Sequence, residues 1–365
     1  MTLNRPSCDD TPNSCEDTPL LTDPTLAALG WTPDFIAQME LAEIDTTFPA
    51  RVTGVHRNRL ETLTADGAKE LMPASDMNTG NVAVGDWLLA RGEVALRVLT
   101  RHTLLQRKSA GTTMTRQLIA ANVDTALITS SCNHDFNAAR LERYLILCAS
   151  AGIEPVLVLT KADTCPDPET YLIQGRALQR GLSVVALNAH DDDVPNLLSD
   201  WCRKGKTVVL LGSSGVGKTT LANALTGGDA AVQDIREDDA KGRHTTTARY
   251  LVAMTHGGWL IDTPGVRELQ LTDVSDGIDA LFDDLTALAL TCRFTNCTHD
   301  REPGCAIRAA IAAGTIDEPR LIRWQKLLRE DQHNSDSIHQ AHNRSRTFGK
   351  MHRKISDKRN PEKRR

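Results

Sequence analysis

The sequence predicts an α/β chain in three modules: a small β-barrel, a largely parallel sheet covered on both faces, and a short cysteine-rich helical module. Three observations predict it. Short apolar runs broken by Gly67, Gly80, Gly85 and Gly92 indicate the barrel. Strand-like and helix-like runs alternate from Thr125 to Ile261, which indicates the sheet. Cys292, Cys297, His299 and Cys305 crowd into one short segment. The sheet's motifs also come in an inverted order. Thr160-Lys161-Ala162-Asp163 has the form of a base reader, yet it precedes the glycine-rich run Gly212-Ser213-Ser214-Gly215-Val216-Gly217-Lys218-Thr219, which has the form of a phosphate loop. Both follow apolar strand-like runs, so the core is circularly permuted.

Taken in order, residues 1–47 form an acidic, partly disordered extension, with one helix expected over Thr32–Glu43. Residues 48–105 hold the barrel, whose leading topology is that of an oligonucleotide-binding fold. Residues 106–288 hold the core. Its strands are Thr125–Thr129, Pro155–Thr160, Ser183–Leu187, Thr207–Leu211, Arg249–Met254 and Gly258–Ile261. Its helices are Ala138–Ser150, Tyr171–Gln179, Asp193–Trp201, Thr219–Leu225 and Ala280–Ala289. Residues 289–340 form the metal module, with helices at Ala306–Ala313 and Ile316–Glu330, and residues 341–365 a basic tail.

The run Gly212–Thr219 follows a Val-Val-Leu-Leu strand and opens a helix. Glycines let the backbone come close, so successive N–H groups surround a β-phosphate while the helix terminus adds positive potential. Lys218 reaches the β/γ-phosphates, the Thr219 hydroxyl serves Mg²⁺, and Thr220 completes the nucleotide-binding run. Asp262-Thr263-Pro264-Gly265 ends the Trp259-Leu260-Ile261 strand, placing Asp262 for Mg²⁺ and the Gly265 N–H for the γ-phosphate. Hydrolysis of the nucleotide follows. Val266 can neither accept a proton nor orient water, so another group must do so. Within Gly242-Arg243-His244-Thr245-Thr246-Thr247, Thr246 is expected to coordinate Mg²⁺ and His244 to orient or deprotonate water.

The Asp163 carboxylate can accept from both guanine N1–H and the 2-amino group, a pair that adenine does not offer. Lys161 can lay its aliphatic stem over the base. Thr160 stands where Asn is usual and, being shorter, is expected to brace the phosphate loop less fully. Asn188-Ala189 occupies the place of a second base-contact turn, with the Ala189 N–H directed at the guanine carbonyl.

Cys292-x₄-Cys297-x-His299-x₅-Cys305 offers three sulfurs and one imidazole, a set that closes a tetrahedral structural zinc site. No pair has the Cys-x-x-Cys spacing of redox catalysts. The nine cysteines are otherwise scattered, which favours a cytoplasmic chain over a disulfide scaffold. No apolar run has membrane-spanning length, and the amino terminus lacks the pattern of a secretory signal. The net charge of -5 hides an uneven distribution: residues 1–50 carry nine Asp or Glu and one Arg, while residues 344–365 carry ten Lys or Arg. Such a tail suits electrostatic contact with phosphate.

Together these residues resemble the ribosome small-subunit-dependent GTPase family, the bacterial circularly permuted assembly GTPases. The resemblance spans residues 48–330. It runs through Gly85-Asp86, Arg107, Ala120-Ala121-Asn122-Val123-Asp124, Phe136-Asn137 and Arg143-Tyr144-Leu145, then the phosphate loop, Gly242–Thr247, Asp262–Glu268 and Asp300–Ile307. It implies an N-terminal OB-like RNA-binding barrel, a circularly permuted P-loop GTPase core and a C-terminal zinc-binding helical domain. It further implies GTP hydrolysis to GDP and phosphate, coupled to late maturation of the 30S subunit and stimulated by its 16S rRNA. The chain is expected to act as a monomer, without a membrane. His244 matches the family's catalytic histidine and Thr246 its switch threonine; Thr160 and Asn188 depart from its pattern. A metabolic nucleoside-triphosphatase and a nucleotide-gated RNA-binding scaffold are the rival readings.

Overall fold

The computed structural model describes residues 23–108, 116–228, 249–262 and 274–332. Three short helices come first: α1 (Pro24–Ala28), α2 (Pro33–Ile36) and α3 (Leu41–Ile44). The single helix expected over Thr32–Glu43 is therefore two. Residues 37–40 break it, and α3 restarts at a capping box in which Glu40 and Glu43 satisfy each other's backbone N–H groups.

Strands β1 (Phe48–Val55), β2 (Leu60–Thr64), β3 (Gly67–Pro73), β4 (Trp87–Arg91) and β5 (Val94–Val98) close a barrel in the order β1-β2-β3-β5-β4. Alternation drives this. On β2, Leu60, Thr62 and Thr64 are buried while Glu61 and Leu63 are partly exposed. The interior is Ala50, Val52, Leu60, Leu71, Leu88, Ala90 and Ala95. The extension seals one side of it with Leu26, Leu29, Trp31 and Phe35, which pack on Trp87, Leu89 and Leu99. Trp31 meets Trp87 edge-on at 4.8 Å. Each such large side chain contributes about 1.5–3 kcal/mol on burial, enough to fix a segment with so little secondary structure.

A ribbon not foreseen from the sequence follows. β6 (Leu104–Lys108) pairs antiparallel with β7 (Arg116–Ala121) and carries the chain from barrel to core. The core sheet has the order β10-β9-β8-β11-β13-β12, with β8 (Thr125–Ser131), β9 (Glu154–Thr160), β10 (Ser183–Ala186), β11 (Thr207–Leu211) and β13 (Trp259–Asp262) parallel. β12 (Tyr250–Ala253) runs antiparallel at the edge. The phosphate-loop strand β11 is thus central, and the three strands on one side of it all precede it in the chain. All seven residues of β8 and all five of β11 are buried, as a sheet covered on both faces requires.

The helices α4 (Ala138–Ala151), α5 (Pro168–Arg176), α6 (Val194–Leu197), α7 (Ser199–Cys202) and α8 (Lys218–Thr226) cover the sheet. After the sheet come α9 (Ser275–Leu281), α10 (Asp283–Leu290), α11 (Ala306–Ala312) and α12, helical over residues 318–332. The last of these is stapled to α4. The Arg323 Nε–H is shared between both carboxylate oxygens of buried Glu142, and Arg143 pairs with Glu330.

Barrel and core meet at Arg51, which is fully buried. Its guanidinium donates to Thr207 Oγ1 at 2.7 Å, to the Asn122 carbonyl and to the Leu29 carbonyl, and it lies 5.6 Å from the Trp87 ring. Burial pulls it down to about 10 from an ordinary 12.5. One side chain from the barrel therefore binds the extension, the ribbon's exit and β11.

Candidate nucleotide site and metal cluster

In a parallel sheet every strand ends at the same edge, and ligands bind in the crevice outside the carboxyl ends. The base-reader segment leaves β9, Asn188-Ala189 follows β10, Gly212–Lys218 leaves β11, and Asp262 is the last residue of β13. One edge therefore collects all of these segments, although they are separate in the chain.

The phosphate loop is tied down at several points. Gly212 has φ +144, and a Cβ there would lie 2.3 Å from the Thr129 carbonyl, so only glycine fits against β8. Ser213 Oγ accepts from Arg140 Nη1 of α4 at 2.5 Å. The Gly215 carbonyl accepts from Lys161 Nζ at 3.0 Å, and the Val216 carbonyl from the Thr160 hydroxyl at 2.5 Å. Lys218 Nζ donates to the Gly212 carbonyl at 2.8 Å and to that of Ser213. Ser214 and Thr219 are exposed, Thr220 is partly so, and Val216 is buried. Thr160 thus reaches the loop although it is shorter than Asn.

Lys161 takes a left-handed conformation, φ +58, which a lysine adopts only under constraint. Asp163 lies exposed in the 3-10 turn Ala162–Thr164 that follows. The Ala162 N–H donates to the Leu187 carbonyl at 3.3 Å, joining this turn to the one after β10. There Asn188 Oδ1 accepts from the His190 N–H at 3.0 Å, so its side chain shapes the turn, and Ala189 is buried beneath it. His244, Thr246 and Gly265 lie outside the described residues, as does the side chain of Asp262.

Arg140 escaped the sequence reading. One signal was present. It occupies the first turn of α4, where the helix dipole disfavours a cation, and no acidic residue shares that turn.

The second group is compact. Ligand atoms of Cys292, Cys297, His299 and Cys305 all lie within 4.8 Å of one another. His299 Nδ1 is 3.6 Å from both Cys292 Sγ and Cys305 Sγ, and those two sulfurs are 3.9 Å apart. Three thiols and an imidazole at these separations fit one tetrahedral ion. Local geometry is built for it. His299 has φ +61 and Gly304 φ +80, and a Cβ on Gly304 would press within 2.9 Å of Arg293 Cβ. Burial pushes the His299 imidazole down, which favours the neutral ligand form. The Ala306 N–H donates to Cys292 Sγ at 3.4 Å and the Arg308 N–H to Cys305 Sγ at 3.5 Å, as supporting bonds to metal-bound thiolates do. Among the described residues no helix is long and apolar enough to cross a membrane.

Comparison with known proteins places this architecture. A family model described as RsgA GTPase matches residues 98–272. A model described as ABC transporter matches residues 197–357, and its overlap with the first contains the phosphate loop. A protein of Mesorhizobium japonicum named small ribosomal subunit biogenesis GTPase RsgA is 52% identical over 320 residues, covering 86% of this chain and 91% of the relative. One of Vibrio parahaemolyticus, named small ribosomal subunit biogenesis GTPase RsgA 2, is 45% identical over 346 residues, 94% and 96% of the two chains. In fold, YjeQ from Thermotoga maritima superposes with a TM-score of 0.56 at 22% identity, covering 78% of this chain and 98% of that one. YloQ, titled a circularly permuted GTPase, does so at 0.55 and 23%, covering 79% and 96%.

Proposed function

The chain belongs to the RsgA GTPase family, and on that premise we propose that it hydrolyses GTP to GDP and phosphate during late maturation of the small ribosomal subunit. One observation carries the site assignment. Thr160 and Lys161 of the base-reader segment donate directly to the Val216 and Gly215 carbonyls of the phosphate loop, so a single nucleotide spans both.

In this reading Asp163 accepts from guanine N1–H and the 2-amino group, Lys161 covers the base plane, and the Ala189 N–H meets the guanine carbonyl. The N–H groups of residues 213–220 surround the phosphates, and the Lys218 ammonium meets their charge. Thr219, Asp262 and Thr246 offer hard oxygen ligands, a set suited to magnesium, which when bound neutralises charge on the β- and γ-phosphates. His244 orients the attacking water through its neutral ring nitrogen. The Gly265 N–H meets the γ-phosphate.

Cys292, Cys297, His299 and Cys305 hold one structural zinc, which fastens a module whose own core is small. The units are the extension 1–47, the barrel 48–105, the GTPase core 106–288, the zinc module 289–340 and the basic tail 341–365. The barrel and the zinc module contact 16S rRNA of the 30S subunit, and the protein works as a monomer in the cytoplasm.

Comparing GTP with ATP turnover, each with and without purified 30S subunits, tests this. Strong GTP preference with stimulation by the subunit is expected. Turnover indifferent to the subunit would point to a metabolic nucleoside-triphosphatase instead. His244→Ala should abolish the stimulated rate; an unchanged rate would remove His244 from the mechanism.

A further inference from the structure

We propose that Arg140 is a positioning residue of the phosphate loop, acting through the Ser213 side chain to hold the loop in the shape that receives nucleotide phosphates. The proposal rests on the reading of Gly212–Thr219 as a nucleotide site.

Three features of this chain carry it. The Arg140 guanidinium donates to Ser213 Oγ, and among the described residues it forms no ion pair with a carboxylate. It stands in the first turn of α4, beside the positive end of the helix dipole, with no acidic residue in that turn. A cation is locally unfavourable there, so the fold retains it against its local preference. The third feature is what Ser213 does. Its carbonyl accepts from Lys218 Nζ while its hydroxyl accepts from Arg140, so this residue is gripped on both backbone and side chain.

The support behind Arg140 is rigid. Asn137 caps α4 through the Arg140 N–H at 3.0 Å, and Leu141, Tyr144, Leu145, Ile146 and Cys148 bury the helix against the core. The two residues after Leu141 add further anchorage, because buried Glu142 and partly exposed Arg143 are both ion-paired to α12. The loop is therefore packed closely against β8 at Thr129, and strapped from Thr160 and Lys161 at the end of β9 and from Arg140 of α4. All three elements precede the loop in the chain. A loop already held in its binding shape loses less freedom when phosphate arrives, which raises affinity without changing the chemical step.

Steady-state GTP hydrolysis and GDP binding by full-length Arg140→Ala, Arg140→Lys, Ser213→Ala and the Arg140→Ala/Ser213→Ala double variant test this. Losing one charge-assisted hydrogen bond should raise KM for GTP and Kd for GDP by about tenfold. For the two Arg140 single variants, turnover at saturating GTP should fall less than twofold, because the loss is uniform to ground and transition states. Arg140→Lys should recover part of the affinity, and the double variant should match Ser213→Ala rather than multiply the two losses. A lower turnover with unchanged KM would mean Arg140 merely supports folding, and multiplicative losses would mean it acts on the nucleotide independently of Ser213. Either overturns the proposal. If the wild type itself shows no saturable GTP or GDP binding, the nucleotide reading falls and takes this with it; variants indistinguishable from a binding wild type sink the Arg140 role alone.

Discussion

The Thr160 hydroxyl donates to the Val216 carbonyl at 2.5 Å, joining the first residue of the base reader to the middle of the phosphate loop. The same oxygen lies 3.0 Å from the Ser130 carbonyl, but it has one proton, and the shorter contact takes it. Thr160 is only 1% exposed, so no water replaces that donor if it is removed. Thr160→Ala should lower stability by about 1–3 kcal/mol and weaken GTP binding, while Thr160→Ser should keep both. Urea unfolding and nucleotide titration measure this. Wild-type behaviour of Thr160→Ala would mean that the bridge is idle.

Guanine selection should reside in Asp163. A carboxamide there still accepts one hydrogen bond but opposes the 2-amino group with its own N–H. Asp163→Asn should therefore weaken GTP binding at least tenfold, from the loss of a bond to a charged group worth about 1.5–3 kcal/mol. Xanthosine triphosphate, with a carbonyl in place of that amino group, should bind the variant better than the wild type. Competition titrations with the two nucleotides decide it, and an unaltered GTP affinity would move base recognition elsewhere.

How legible all this was depended on how local each signal is. The phosphate loop, the base reader and the cysteine cluster could be read because their chemistry demands particular residue types at short spacing, and the permutation because motif order is itself sequence. Long-range packing left no such trace. Phe35 was expected within one helix over Thr32–Glu43, yet it sits in the four-residue α2 and reaches Trp87 together with Trp31, which lies ahead of that helix. Arg51 interrupts an apolar strand in a way that suggests exposure, but its partners Leu29, Asn122 and Thr207 come from three distant parts of the chain. The β6–β7 ribbon was missed because its strands flank a polar stretch and one continues the texture of the barrel. Ser213 gave no hint that its partner was Arg140, on a helix far earlier in the sequence.

Metal removal should act locally. Cys292 and Cys305 accept the N–H groups of Ala306 and Arg308, so α11 begins on the cluster itself. Without an ion these thiols and His299 have nothing to converge on, and the left-handed His299 and Gly304 turns lose their purpose. Chelation, or Cys297→Ser, should abolish a stoichiometry of about one zinc per chain. Amide exchange should quicken over α10 and α11 and stay slow in β8 and β11. Protein purified without metal, and insensitive to chelators, would show the cluster to be four ordinary side chains.

The extension should be held less firmly in acid. Arg97 donates from Nε and Nη2 to the Glu43 carboxylate at 2.9 and 2.7 Å, and this pairing holds Glu43 at about 2 against an ordinary 4.5. A depressed carboxyl stabilises the fold fully above its unfolded value and loses that contribution as pH falls through the folded one. Wild-type stability should therefore decline between roughly pH 4.5 and pH 2 by more than that of Glu43→Gln. Urea midpoints across that range compare them. Parallel curves for the two proteins would show that the pair contributes nothing.

The staple between α4 and α12 gives the opposite sign. Glu142 is fully buried, and burial pushes its carboxyl up from 4.5 while Arg323, donating at 2.8 and 2.9 Å, pulls it back. Arg323→Ala leaves that carboxylate buried without its hydrogen-bonded cation, a loss of about 3–5 kcal/mol near neutral pH. Glu142 should then rise further and take up a proton more readily than in the unfolded chain. A raised carboxyl gives stability that is present at low pH and lost as pH climbs through the folded value. The Arg323→Ala protein should accordingly be more stable at pH 5.5 than at pH 7.5, and adding Glu142→Gln should flatten the dependence. Equal urea midpoints for Arg323→Ala at the two pH values would show that water reaches Glu142 once its partner is gone, and that α12 is not held to the core by this charge.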